Sequence, residues 1–168
     1  MKKITELFMS YKRDFVNSNL RDNELIEFIM PFNYADLSDV INGNIFLKSC
    51  NQKISIKESL ELLDISIKHN NRIRVWTSHI DPDYYLFLLF ICFYVKNKIE
   101  CLEVFYSDEY KGECTSTGTM TSEELNKLSL MGHKIEKRQI EEYANKWESL
   151  IKDGSKLYIF ENSELINV

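Results

Sequence analysis

Apolar residues recur along this chain with two periods, every second residue in short runs and every third or fourth in longer ones, a pattern that predicts an α/β protein. Residues 3–9 have the β-branched and apolar content of a strand, and residues 11–20 place Tyr11, Phe15, Val16 and Leu20 at helical spacing. Residues 24–30 read as a second strand that Pro31 stops, because proline has no amide hydrogen for the ladder. Residues 32–55 are rich in Asn, Asp, Ser and Gly and are expected to form a long, partly ordered crossover. Ile56, Leu60, Leu63 and Ile67 then space a helix over 56–69, with Asn70-Asn71 as its end signal.

The densest signal lies in residues 72–106. A strand (Ile73-Arg74-Val75-Trp76) leads into a polar corner (Thr77-Ser78-His79-Ile80-Asp81-Pro82-Asp83), an apolar helix over 84–95 and a further strand over 99–106. This is one β-α-β unit, with polar side chains gathered where open α/β sheets hold ligands. Asp81 is placed to cap the helix, and Pro82 suits the first helical position because its missing donor would be unsatisfied there anyway. Lys96 and Lys98 follow the helix on the side its dipole favours. The helix is apolar around its whole circumference, so it must be covered on more than the sheet side, by the rest of the chain or by a second subunit. A homodimer is expected on that ground. At 12 apolar residues it is too short for a membrane span, which needs about 20.

Residues 107–119 form a polar, glycine-containing connection. Thr121 with Glu124 is a capping box for a short helix ending near Gly132. A longer helix over 135–152 puts Ile140, Tyr143, Trp147, Leu150 and Ile151 on one face, and residues 157–168 read as a hairpin turning at Glu161-Asn162-Ser163. The expected architecture is therefore an α/β domain over 1–112, a mainly parallel sheet of about four strands flanked by helices. A small C-terminal α+β subdomain of two helices and a hairpin follows over 120–168.

Composition narrows the function classes. With 21 basic against 26 acidic residues the net charge of −5 offers no general attraction for nucleic-acid backbones or anionic lipid. Cys50, Cys92, Cys101 and Cys114 show no CxxC spacing and read as reduced thiols. Glu6, Ser10 and Lys12-Arg13-Asp14 interrupt any secretory core near the N-terminus, so a cytoplasmic location and no membrane association are expected.

Asp36-Leu37-Ser38, Trp76-Thr77-Ser78 with Asp83-Tyr84, Thr121-Ser122-Glu123-Glu124-Leu125, Trp147-Glu148 and the ending Phe160 to Val168 occur in an order that resembles the bacterial domain of unknown function 1835 family with its companion C-terminal domain. The resemblance implies a bacterial, cytoplasmic α/β protein and brings no activity or catalytic residues with it. Family members tend to carry a glycine-containing polar turn after the first strand, where this chain has Met9-Ser10-Tyr11-Lys12-Arg13. Without glycine the backbone cannot approach a phosphate as closely.

Candidate chemistry centres on the corner. His79, Asp81 and Asp83 alternate along an extended segment and have the donor types for a divalent ion, but Asp81 and Asp83 are better accounted for as helix-start residues. Ser10, Asp36, Ser78 and Ser107 fall at strand ends or in their connections, and Trp76 stands beside Ser78 and His79, so all belong to the candidate ligand site. No Gly-x-Ser-x-Gly elbow, phosphate-binding glycine loop or His-Glu-x-x-His helix is present, and no metal or cofactor is expected. The two helices and hairpin at the C-terminus invite a winged-helix reading. Residues 134–153, however, carry five basic against five acidic side chains, which makes nucleic acid an improbable partner.

The reading favoured by the sequence is a non-enzymatic module binding a small ligand or a protein. The alternative is a transferase or hydrolase acting on a small phosphorylated or nucleotide-like substrate at the strand carboxyl ends. A second charged group converging on the 78–83 corner would separate a ligand site from an open partner surface.

Overall fold

The computed structural model describes residues 3–9, 15–29, 35–37, 39–47, 52–111, 117–152, 158–161 and 164–167. In chain order the elements are β1 (Ile4–Met9), β2 (Glu24–Phe28), β3 (Ala35–Asp36), β4 (Asn44–Leu47), β5 (Gln52–Ser55) and α1 (Lys57–Lys68). The β-α-β unit supplies β6 (Arg72–Thr77), α2 (Pro82–Val95) and β7 (Cys101–Tyr106), and β7 runs directly into α3 (Ser107–Lys111). Then come α4 (Ser122–Leu128), β8 (His133–Glu136), α5 (Lys137–Lys152) and the antiparallel pair β9 (Tyr158–Glu161) and β10 (Glu164–Asn167).

The main sheet has five strands in the order β2-β1-β6-β7-β8. The first four are parallel, as expected; β8 lies antiparallel to β7 and is the additional strand. It takes up the first two residues of the helix expected over 135–152, and it was hidden because Ile135 is its only buried residue among charged neighbours. The division expected between residues 112 and 120 falls between β7 and β8, neighbours in this sheet.

The described residues of the crossover expected over 32–55 carry regular structure. They hold a second, antiparallel sheet ordered β3-β4-β5, and their turn-forming residues are concentrated before β4. There Asp39 accepts hydrogen bonds from Asn42 Nδ2 (2.7 Å) and Asn44 Nδ2 (2.6 Å), while Gly43 takes a left-handed φ of 78°. The helix expected over 11–20 is likewise corrected: from Phe15 the chain is helical only to Val16 and then turns. Ser18 Oγ donates to the Phe15 carbonyl (2.7 Å) and accepts from Leu20 N (3.1 Å), local bonds that compete with helix continuation. Residues 10–14, including Ser10 and Lys12-Arg13, lie outside the described residues.

Strand alternation gives the sheet two buried faces. Leu7, Val75 and Val104 point to the face covered by α1, α2 and α5, whereas Phe8, Trp76 and Phe105 join Phe15, Leu20, Met120, Leu125 and Leu128 on the other. Residues 86–92 of α2 are all buried, and α5 lies over α2, with Trp147 against Phe90 (5.4 Å between rings) and Tyr143 against Tyr85 (6.5 Å). The cover that α2 requires therefore comes from this same chain. Lys96 and Lys98, just past α2, pair with Glu148 (2.5 Å) and Asp64 (2.7 Å). No helix among the described residues is long and apolar enough to cross a membrane.

One polar cluster lies inside the second face. Glu6, fully buried, accepts from Arg74 Nη1 (3.0 Å), Asn23 Nδ2 (2.7 Å) and Trp76 Nε1 (2.7 Å). Arg74 also bonds Glu103 (2.8 Å) and the Ser129 carbonyl (3.1 Å), and its guanidinium lies 4.4 Å from the Phe105 ring centre. Each partner thus meets the requirement that buried charge be both paired and hydrogen-bonded.

Candidate functional site

The corner after β6 is wound by its own side chains. Ser78 Oγ accepts from Ile80 N (3.2 Å) and Asp81 N (3.3 Å), which folds the chain back on itself. Asp81 Oδ1 then accepts from Asp83 N (3.0 Å) and Tyr84 N (3.4 Å), the first free amides of α2, with Pro82 behind it. Thr77 Oγ1 donates to the Tyr84 carbonyl (2.5 Å) and Tyr84 Oη to the Met9 carbonyl (3.2 Å), which ties the start of α2 to the ends of β6 and β1.

A second strand end meets this corner. Because β7 passes into α3 without a loop, Asp108 arrives beside His79 and accepts from its backbone N–H (2.7 Å, Oδ1), and its Oδ2 lies 3.0 Å from the His79 ring nitrogen Nδ1. Burial works against the Asp108 carboxylate, but hydrogen bonds from the His79 amide, Ser78 and the His79 ring together hold its carboxyl below the ordinary aspartate range. An ionised carboxylate only accepts, so Nδ1 carries the proton, and the neutral tautomer with this bond presents Nε2 as an acceptor. The His79 imidazole stacks on Tyr106 with ring centres 3.6 Å apart and planes 14° from parallel. Tyr106 is buried beneath it, which pushes its phenol up. On its other side Tyr106 meets His133 (5.7 Å between rings), whose Nε2 pairs with Glu109 Oε2 at 2.6 Å.

The structure thus brings Ser78, His79, Asp81, Asp83 and Ser107 to the carboxyl ends of β6 and β7. Trp76 is in the core, on the opposite face of the sheet from Thr77, with its indole N–H committed to Glu6. Only the backbone of Asp36 is described, in β3, and Ser10 lies outside the described residues. Ser107 is fully buried, and its Oγ has no hydrogen-bond partner. His79, Asp81 and Asp83 do not converge as an ion site, since Asp81 faces helix amides and His79 faces Asp108. Among the described residues no group of three or more His, Cys, Asp or Glu side chains is arranged to hold a metal.

Sequence reasoning missed Asp108 and Glu109, because residues 107–119 read as a connection rather than as a helix start, and with them Tyr106 and His133, which sit at the ends of β7 and β8. A signal was present: Ser107-Asp108-Glu109 directly after a strand has the composition of a first helical turn. A cleft of about 690 Å³ opens at the amino ends of the strands, lined by Lys3, Asp22, Glu24, Ile65, His69 and Asn71 among others. Its central carboxylate, Glu24, is committed to Thr5 (3.0 Å), Ser66 (2.8 Å) and Asn71 (3.0 Å). Two basic residues of α5 are engaged, Arg138 with Glu142 (3.0 Å) and Lys137 with the Lys96 carbonyl. Comparison with protein-family models, with curated proteins and with solved structures finds no match to this chain.

Proposed function

We propose that this chain is a small-ligand-binding module whose ligand seats at the carboxyl ends of β6 and β7 and hydrogen-bonds to His79 Nε2. The observation that carries this is the convergence of Asp108 on His79, a charged partner within hydrogen-bond reach at a corner where the Ser78 hydroxyl and the Asp81 carboxylate are already engaged by backbone amides. A broad protein-docking surface has no need of such a fixed ring. The same pair supports the second reading, a transferase or hydrolase, because a carboxylate holding Nδ1–H poises Nε2 as a general base. A bacterial, cytoplasmic setting, kinship with the domain of unknown function 1835 family and a capping role for the C-terminal hairpin belong to the same proposal. The acidic balance and the engagement of Arg138 and Lys137 weigh against nucleic acid.

The test is a thermal-shift panel of metal ions, inorganic phosphate, nucleosides and small amines, since a ligand at 100 times its Kd stabilises by about 2.7 kcal/mol. Hits should move the His79 Cε1–H resonance and should be lost in His79→Ala. In Asp108→Asn the side-chain amide favours the other tautomer, and the His79 nitrogen shifts should exchange accordingly. Hits that persist undiminished in His79→Ala would remove the site from this corner. Conversion of a bound compound that stops in His79→Ala identifies the enzyme; a ligand recovered unchanged identifies the binding module.

A further inference from the structure

We propose that the ligand presents a flat aromatic or amidinium face, uncharged or cationic, to the open face of the His79 imidazole; this rests on the reading above that His79 meets the ligand. The ring is immobilised on two sides, along its Nδ1 edge by Asp108 at 3.0 Å and across one face by Tyr106 at 3.6 Å. The His79 backbone is held as well, through the bond from its N–H to Asp108 (2.7 Å). Its side chain nevertheless stays 44% exposed. With one face stacked and one edge bonded, that exposure falls on the opposite face and the Cε1–Nε2 edge. A fixed planar surface with one open face is a stacking platform, and a flat partner loses little conformational freedom in settling on it.

Charge selects among flat ligands. The amides at the start of α2 would be the natural seat for a phosphate, but Asp81 already occupies those of Asp83 and Tyr84. The carboxylates of Asp81 and Asp108 both lie at this corner, and among the described residues no ion pair joins either of them to a lysine or arginine. An anionic group brought here meets like charge, whereas a neutral ring does not and an amidinium is attracted. The phosphorylated substrate class is therefore the one this corner is least suited to accept.

The test uses the full chain and follows the Cε1–H resonances of His79 and His133 during titration with benzamidine, adenosine, adenosine monophosphate and cyclohexanecarboxamidine. Benzamidine and adenosine should move His79 upfield by ring current and leave His133 nearly still. Adenosine monophosphate should bind at least five-fold more weakly than adenosine, and cyclohexanecarboxamidine should produce no upfield shift. Tighter binding of the monophosphate, or binding of the flat probes without an upfield shift of His79, overturns the ligand class. If another compound from the thermal panel moves His79 while no flat probe does, the class falls and the site stands. If no compound moves His79, both fall.

Discussion

Replacing Arg74 with Met tests whether the buried cluster under the sheet is held by charge pairing. Methionine keeps most of the stem volume and removes the guanidinium, so Glu6 is left fully buried with only Trp76 and Asn23 as donors. At the observed 3.0 Å separation, a pair screened by an effective dielectric of about 20 has a gross attraction on the order of 5 kcal/mol. Removing one partner of such a pair costs about 3–5 kcal/mol, because the survivor's desolvation is no longer offset. Urea unfolding near neutral pH should show a loss in that range. The loss should also depend on pH. Burial raises the Glu6 carboxyl above its ordinary value near 4.5, against the pull of Arg74, so the folded state already holds this proton more tightly than the unfolded chain. Without Arg74 the carboxyl rises further, and stability lost as pH rises through that higher value is regained as pH falls toward the ordinary range. The gap between wild type and Arg74→Met should therefore narrow on acidification, and adding Glu6→Gln should recover much of it at neutral pH. A loss below about 1 kcal/mol, or one insensitive to pH, would refute the account.

Gly43→Ala places a Cβ 2.5 Å from Lys57 Cγ and 3.1 Å from the Lys57 backbone, at a φ of 78° that other residues rarely adopt. It should cost about 1–3 kcal/mol and lower Tm; an unchanged Tm would show that the start of α1 can move aside. Thr121→Ala removes the capping box of α4, in which Thr121 Oγ1 accepts from Glu124 N (3.4 Å) and Glu124 Oε2 accepts from Thr121 N (2.7 Å). The expected loss is about 1 kcal/mol, with faster amide exchange confined to 122–128; uniform exchange across the sheet would contradict it.

What could be read from the sequence followed from how much local signal each element carries. The unit from β6 to β7 announces itself through alternating strands, a dense apolar helix and an Asp-Pro start, and α1 through its apolar spacing. β8 is an edge strand with one apolar residue, and β3 has two residues in all, so neither shows a period. The helix expected before Leu20 gives way because Ser18 offers the backbone a local alternative. At the site, Ser78, His79 and Asp81 were legible because their neighbours in sequence determine their setting. Asp108 was not, since its role arises only when two strands 29 residues apart lie side by side.

That pairing follows from the sheet itself. β6 and β7 are parallel neighbours, and their ladder ends with Thr77 opposite Tyr106. His79 and Asp108 each stand two residues past that last pair, in the turn after β6 and the first turn of α3, so the register brings the acid to the imidazole. A slip of one residue would bring Ser107 or Glu109 toward His79 in place of Asp108. The register is fixed in turn by alternation: Val75 and Val104 must face α2 while Trp76 and Phe105 face the other layer, stacked 4.6 Å apart. A slip would turn one of those rows to the wrong face. The placement of the imidazole thus depends on the alternation of core residues in β6 and β7 as well as on its direct contacts with Asp108 and Tyr106.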